Sequence, residues 1–285
     1  MSNSKVLVIY HGGCTDGFTA AWCAHRHFAD SADYMEMKND GADFPVDGRD
    51  VIFLDCCPRR EQLLDFKRRA KTLLVLDHHI TNANACSDVE GCSFDMNKSG
   101  AGLAASKFLD KDDEGWQLVS YVQDNDLFRF SLPNSQEIRE VIFSYPFSFS
   151  TWDVLSARLA RDFNSAVNEG AAIRRSKRTE IEELKKKVIP MTICGYENVP
   201  VVNVAHGDIS LLLSELAKDA PNNFAIAWHH AGNGRFKYSI RSTGAFDCAE
   251  FARVHFGGGG HRGAAAWIDN LPAWEQSVSK TIFRR

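Results

Sequence analysis

The chain has 285 residues, 44% hydrophobic and 25% charged, with a formal net charge of -4 and an isoelectric point near 6.2. Such length and balance support two packed domains and exclude a disordered chain. The lack of a global basic field excludes an electrostatic grip on long duplex nucleic acid.

The N-terminal Met1-Ser2-Asn3-Ser4-Lys5 runs directly into the first apolar segment and no long apolar stretch occurs, so neither a secretory signal nor a membrane span is expected, and the cytoplasm is the expected location. Val6-Leu7-Val8-Ile9-Tyr10 reads as a strand that empties into His11-Gly12-Gly13-Cys14-Thr15-Asp16-Gly17, with a helix following over 18–28. Val51-Ile52-Phe53-Leu54 repeats the design and empties into Asp55, followed by a helix over 60–70. A third run, Leu73-Leu74-Val75-Leu76, ends in Asp77-His78-His79. Ligands of open α/β sheets gather at the carboxyl ends of strands, so these residues are candidates for a metal or substrate site. Ser99-Gly100-Ala101-Gly102 opens a helix over 100–109, either near that site or small for close packing. The segment 116–122 then leads, more as a helix than a strand, to Asp124-Asn125-Asp126.

The pattern changes beyond Asp126. Tyr145 to Ser150 reads as an aromatic loop, and 152–188 as one long or two consecutive helices ending at Pro190. The basic run Arg174-Arg175-Ser176-Lys177-Arg178 and Lys185-Lys186-Lys187 flank Glu180, Glu182 and Glu183, as on a solvated, ion-paired helix face, with contacts to a nucleic-acid backbone as the weaker alternative. Strands are expected over 199–204, 224–229 and 236–240, and a helix over 209–218. Near the end lie Phe256, four glycines from Gly257 to Gly260, His261 and the helix-forming run Ala264-Ala265-Ala266. Consecutive glycines let backbone N–H groups approach an anion closely. Eight scattered cysteines without C-x-x-C spacing argue against a zinc finger or disulfide scaffold, and most are expected to be buried small apolar groups.

Together H-x-x-C-x-D-G at His11, the lone Asp55, D-H-H at Asp77, D-x-D at Asp124 and the late G-G-G-G-H resemble the DHH phosphoesterase superfamily with its associated C-terminal domain, from His11 to His261. That group includes RecJ-type exonucleases, nanoRNases, dinucleotide and cyclic-dinucleotide phosphodiesterases, exopolyphosphatases and a class of inorganic pyrophosphatase. The fold implied is α/β with two domains. A mostly parallel, helix-flanked catalytic domain would occupy 1–145, a helical connector 146–190, and a smaller α/β substrate-binding domain 191–285.

By the same resemblance two divalent ions would be bridged by Asp55. Manganese is the expected ion, with magnesium, cobalt or zinc as alternatives. His11 and Asp55, with Cys14 as a possible third ligand, would hold one ion; Asp16, Asp55, His78 and Asp124 would hold the other, with Asp126 the alternative to Asp124. His79 would face the substrate phosphate, and Asp77 would orient the imidazoles. Arg241, Ser242, Gly258, Gly259, Gly260 and His261 would bind the terminal phosphate or nucleotide.

Cys14 departs from the Asp usual in such motifs; a softer thiolate there would shift metal preference toward zinc, weaken the first site, or not ligate at all. The activity implied is two-metal, exo-acting hydrolysis of short oligoribonucleotides or linear dinucleotides to mononucleotides. Exopolyphosphatase and cyclic-dinucleotide phosphodiesterase are alternatives, and a nucleotide-binding regulatory protein with little turnover is the alternative of another class. Phe256, Trp267 and Tyr238 are candidates to stack on a base, against a core role for each. Partners are therefore a short RNA or dinucleotide, not long duplex nucleic acid or a membrane, with a homodimer left open.

Overall fold

The computed structural model describes residues 5–38, 41–205 and 207–270. The expected 191–285 domain thus has its last 15 residues outside the described chain. Two compact units divide at Arg174/Arg175.

The first unit is built on five parallel strands, β1 (Val6–His11), β2 (Ala32–Met37), β3 (Asp50–Leu54), β4 (Thr72–Asp77) and β5 (Cys92–Phe94), in the order β2-β1-β3-β4-β5. Helices α1 (Thr15–Phe28), α2 (Arg60–Arg69), α3 (Ala83–Cys86), α4 (Gly100–Phe108), α5 (Gly115–Asp126), α6 (Ser135–Ser144) and α7 (Phe149–Arg161) accompany the sheet. Alternation within the strands explains the layering. Val8, Ile52 and Leu54 point into one core with Trp22, Leu118 and Trp152. Leu7, Ile9, Val51 and Phe53 point into the other with Leu63 and Phe66. Fully burying each such side chain stabilises the fold by about 1.5–3 kcal/mol, so the strand ends are rigidly placed.

Cys57 and Cys86 meet in the second core with their sulfurs 3.4 Å apart. None of the described cysteines is joined in a disulfide. Chain order reverses between β1 and β3, where neighbouring strands lead their connections in opposite directions and a crevice opens at their carboxyl ends.

The stretch expected as a separate connector is shared between two cores. α7 contributes Trp152, Leu155 and Leu159 to the first unit, and α8 (Phe163–Lys185) contributes Ala166 there. The far half of α8 places Ile181 and Leu184 in the second unit's core. Pro190, expected to end the helix, instead lies in the edge strand β6 (Ile189–Ile193), where a missing backbone N–H is tolerated. The basic face of α8 is ion-paired as expected, with Arg178 2.8 Å from Glu215 and Lys185 2.8 Å from Glu182.

The second unit continues with β7 (Tyr196–Asn203), α9 (Ile209–Asp219), β8 (Phe224–Gly232), β9 (Arg235–Ser242), α10 (Cys248–Phe256), β10 (Gly259–His261) and β11 (Ala264–Asp269). Its sheet runs β10-β11-β9-β8-β7-β6, antiparallel except for β7 with β8. The alanine run at 264–266 is strand, not helix. Pairing on both sides with β9 and β10, and burial of Ala265 and Trp267 on one face, override alanine's helical preference. Tyr238 and Trp267 stack at 5.0 Å in that core, and Phe256 stacks on Trp267 at 4.3 Å. Tyr238 and Trp267 are therefore core residues, not surfaces for a base. Among the described residues no helix is long and apolar enough to cross a membrane.

Candidate metal centre

His11 closes β1, Asp55 follows β3, and His78 and His79 follow β4, so three adjacent strands deliver them to the crevice where the strand order reverses. Asp16 joins them from the first turn of α1, and Asp126 from the last turn of α5. Asp55 is the centre of the group and is buried, with its backbone in the left-handed region at φ 59°. An Asp tolerates that conformation better than a branched or bulky residue would. Its Oδ2 lies 3.2 Å from His11 Nδ1, and its Oδ1 lies 3.2 Å from His78 Nε2 and 3.8 Å from His79 Nδ1. His78 Nε2 is also 3.7 Å from Asp16 Oδ2 and 3.5 Å from Asp126 Oδ2.

Donor atoms fall into two sets, His11, Asp55 and His79 in one and Asp16, Asp55 and His78 in the other, each with its atoms within 4.8 Å of one another. Asp55 is common to both. The sequence-based ligand sets gave His79 a place toward substrate; the structure brings it into the first set instead. Cys14 belongs to neither set. It stands at the N-cap of α1 and lines a cavity with His11.

Asp124 is not at this site. Its carboxylate accepts hydrogen bonds from Ser131 N at 2.9 Å, Ser131 Oγ at 2.7 Å, Leu132 N at 3.4 Å and Ser135 Oγ at 2.5 Å, tying the turn after α5 to α6. The helical screw turns Asp126 toward His78 and Asp124 away from it. Asp126 therefore replaces Asp124 among the candidate ligands.

Two neighbours hold the cluster in place. Asp77 is fully buried, and its Oδ1 accepts from the backbone N–H of His78 at 2.8 Å and from His79 Nδ1 at 2.8 Å, while Oδ2 accepts from Asn82 Nδ2 at 2.7 Å. It thus fixes the ring of His79, as second-layer carboxylates do at metal sites. Asp16 accepts from Gly100 N at 2.6 Å and Ala101 N at 3.0 Å, the first N–H groups of α4, where the helix dipole favours a negative charge. Both open explanations for the Ser99 to Gly102 segment apply: it anchors a site residue, and Gly100 packs against Asp55 so closely that a Cβ would stand 2.4 Å from that residue's own.

The electrostatics describe a place short of positive charge. Burial, and after it the charges of Asp55 and Asp126, push Asp16 well above the ordinary carboxylate range. Burial raises Asp126 too, with the charge of Asp55 adding to it. Burial opposes ionisation of Asp55 as well, but the His11 and His78 rings outweigh it and hold its pKa below the ordinary value. Asp55, then Cys14, push His11 up to about 10, and Asp77 raises His79. Asp55 Oδ1 and His78 Nε2 are buried and make no hydrogen bond. The two atoms face each other at 3.2 Å without a hydrogen bond between them. Carboxylate oxygens with imidazole nitrogens form a donor set suited to manganese, zinc and neighbouring divalent ions, so the residues present fit bound cations.

Two cavities flank the cluster, and His11 lines both. Lys38, Arg59 and Asn82 line one together with Asp55 and His79. Phe128, Arg139, Phe143 and Phe147 line the other together with Asp16 and Asp126. Sequence reasoning missed these walls. One signal was available for the first: Arg59 and Arg60 stand at the start of α2, against the helix dipole. Arg60 also has a structural role, donating to the carbonyls of Asn84, Ala85 and Ser87 around α3.

In the second unit, Arg241 pairs with Ala264 and Ala264 with His261, so Arg241 and His261 stand on one sheet face two strands apart. Arg241 Nε donates to Ser210 Oγ at 3.2 Å, and Ser242 Oγ donates to Phe246 O at 2.7 Å. Gly258 and Gly260 have packing reasons, since a Cβ would meet Ala266 O at 2.5 Å or Ala264 O at 2.4 Å. Gly259 is exposed and has no neighbour that would exclude a side chain.

Comparison with known proteins agrees with this fold. No protein-family model matches the chain. It is 26% identical over 293 residues to an uncharacterized protein, R106, of Acanthamoeba polyphaga mimivirus; the match covers 91% of this chain and 66% of the viral protein, so the chain spans just under two thirds of that relative. Among solved structures it is similar to the pGpG-specific phosphodiesterase PggH of Vibrio cholerae, with TM-score 0.60, 13% identity, and coverage of 98% of this chain and 97% of that one. RecJ of Thermus thermophilus, in complex with Mn2+, matches with TM-score 0.51 and 14% identity over 99% of this chain and 52% of RecJ. The DHH domain of a protein described as belonging to a family of ribosomal proteins matches with TM-score 0.56 and 11% identity over 99% of this chain and 87% of that one. The chain therefore has the two-domain α/β fold of the DHH proteins.

Proposed function

We propose that this protein is a divalent-metal-dependent phosphodiesterase that hydrolyses short oligoribonucleotides or linear dinucleotides to mononucleotides. The observation that carries the reading is the buried Asp55 at the strand-order reversal, common to two His/Asp donor sets, with Asp55 Oδ1 and His78 Nε2 buried and without a hydrogen bond. Its support from comparison is the fold shared with a phosphodiesterase specific for pGpG and with the exonuclease RecJ bound to manganese.

In this reading His11, Asp55 and His79 hold one ion and Asp16, Asp55, His78 and Asp126 the other, with manganese the expected metal. Bound ions supply polarisation of the phosphoryl group and an acidified water. The chain's own residues supply position and charge. Asp77 keeps His79 from rotating, and the N-terminus of α4 keeps Asp16 aimed at the cluster. Burial of Asp16, Asp55 and Asp77 excludes bulk water from the ligand side, which strengthens every charge interaction there. Arg241, Ser242, Gly259 and His261 are proposed to hold the terminal phosphate.

The test is turnover of 5′-phosphorylated RNA dinucleotides with manganese, beside polyphosphate and a cyclic dinucleotide, with Asp55→Ala as control. Release of mononucleotides that chelator and the control abolish is the expected result. Saturable nucleotide binding without hydrolysis of any substrate would instead support a regulatory protein.

A further inference from the structure

We propose that the aromatic-walled cavity beside the carboxylate cluster is a nucleobase-stacking subsite, with Phe128 as its platform. The inference rests on the proposed function and adds where the base of the substrate is held. The candidates read from the sequence leave the question open, since Tyr238 and Trp267 are buried in the second unit's core.

Aromatic surface is instead exposed in the first unit. Phe128 is 82% exposed, Phe143 52% and Phe147 39%, and all three line one cavity of about 510 Å³ with Asp16 and Asp126 of the cluster. That volume lies within the range of about 300–1,000 Å³ usual for small-molecule sites. Exposed rings gathered on one wall are unusual on a soluble surface and mark a binding site.

Two features hold the wall in place. Phe128 follows Asp126 by two residues, and its backbone is left-handed at φ 53°, a conformation that a bulky residue adopts only when its surroundings impose it. The surroundings are the Asp124 hydrogen bonds to Ser131 and Ser135, together with Phe128 N donating to Asn125 O at 3.0 Å. Arg139 adds a planar cation, its guanidinium carbon 4.6 Å from the centre of the Phe143 ring.

The cavity's two kinds of lining select the occupant. Asp16 and Asp126 offer acidic groups suited to cations and, through them, to a phosphate; Phe128, Phe143 and Phe147 offer flat apolar faces, and Arg139 a guanidinium. A nucleotide has both an anionic group and a π-face. Polyphosphate has only the first, and an apolar peptide only the second. Base-on-ring stacking is tolerant of sequence, so the subsite would accept either purines or pyrimidines.

Calorimetric titration of the manganese-loaded protein with AMP and with ribose 5-phosphate, for wild type, Phe128→Ala and Phe128→Trp, tests this without turnover. The expected result is AMP bound about tenfold tighter than ribose 5-phosphate by the wild type, the scale of stacking one base on one ring. Phe128→Ala should erase that preference by weakening AMP alone, and Phe128→Trp should keep it. Absent AMP binding, equal binding of the two probes by the wild type, or a Phe128→Ala effect that is nil or falls on both alike would overturn the subsite. Dinucleotide turnover measured in parallel separates the two ideas. Phe128-dependent AMP binding without turnover defeats the proposed function alone, whereas turnover with Phe128-independent binding defeats the subsite alone.

Discussion

Side chains two positions apart on an α-helix point roughly 200° apart around its axis, so Asp124 and Asp126 of α5 cannot serve one site. Asp126 faces His78, and Asp124 collects four donors from the following turn and α6. The two residues should therefore fail differently. Asp126→Asn removes charge from a crowded cluster; manganese-dependent turnover should fall about a hundredfold, at the upper end of effects on metal sites, while the melting temperature of the ion-free protein holds or rises. Asp124→Ala leaves buried donors unmet, at about 1–3 kcal/mol, and should lower the melting temperature by several degrees, roughly 2–4 °C per kcal/mol in domains of this size. Parallel melting and kinetic measurements decide the matter: turnover spared in Asp126→Asn and abolished in a still-folded Asp124→Ala would reverse the assignment. Sequence spacing alone could not orient this pair, because the D-x-D motif offers both carboxylates and the helix register decides between them.

At the scale of elements, the helix α4 shows how closely this centre is packed. Its first residue, Gly100, donates to Asp16 and lies against Asp55, and an added Cβ would stand 2.6 Å from Asp55 Oδ1. Gly→Ala within a helix ordinarily adds up to about 1 kcal/mol of stability. Here Gly100→Ala should lose both stability and metal-dependent turnover, because Asp55 or the helix must move. Unchanged melting and kinetics for that variant would show that the close approach does not constrain the centre. Elements were legible where one force dominated. β1, β3 and β4 are apolar on both faces, so their runs and the ligands at their ends, His11, Asp55 and His78, could be read from the sequence. β2 could not, because Asp33 and Glu36 interrupt an edge strand that is buried only in part. β11 misled because alanine's helical preference is local, whereas its pairing with β9 and β10 is not. The phenylalanine wall was illegible for a related reason: Phe143 at helical spacing reads as core until the structure shows which side of α6 is exposed.

For the molecule as a whole, the cluster predicts opposite responses to pH with and without ions. In the ion-free protein the raised pKa of His11 stabilises the fold fully below its unfolded value of about 6.5, and that contribution is lost as pH rises through about 10. Asp16 and Asp126 act with the same sign. Their raised pKa values mean that the folded state holds protons more tightly than the unfolded chain, so it is progressively penalised as pH climbs above the ordinary carboxylate range. Divalent ions replace those protons, and binding strengthens as pH rises because the same groups must be deprotonated to ligate. Ligand that binds only the folded state adds about 2.7 kcal/mol at a hundredfold excess over its Kd. The manganese-induced rise in melting temperature, measured by calorimetry against a chelated control, should accordingly grow from pH 6 to pH 9, and Asp55→Ala should remove most of it at every pH. A shift that is independent of pH, or that shrinks as pH rises, would mean that these imidazoles and carboxylates are not the groups that take up the ion.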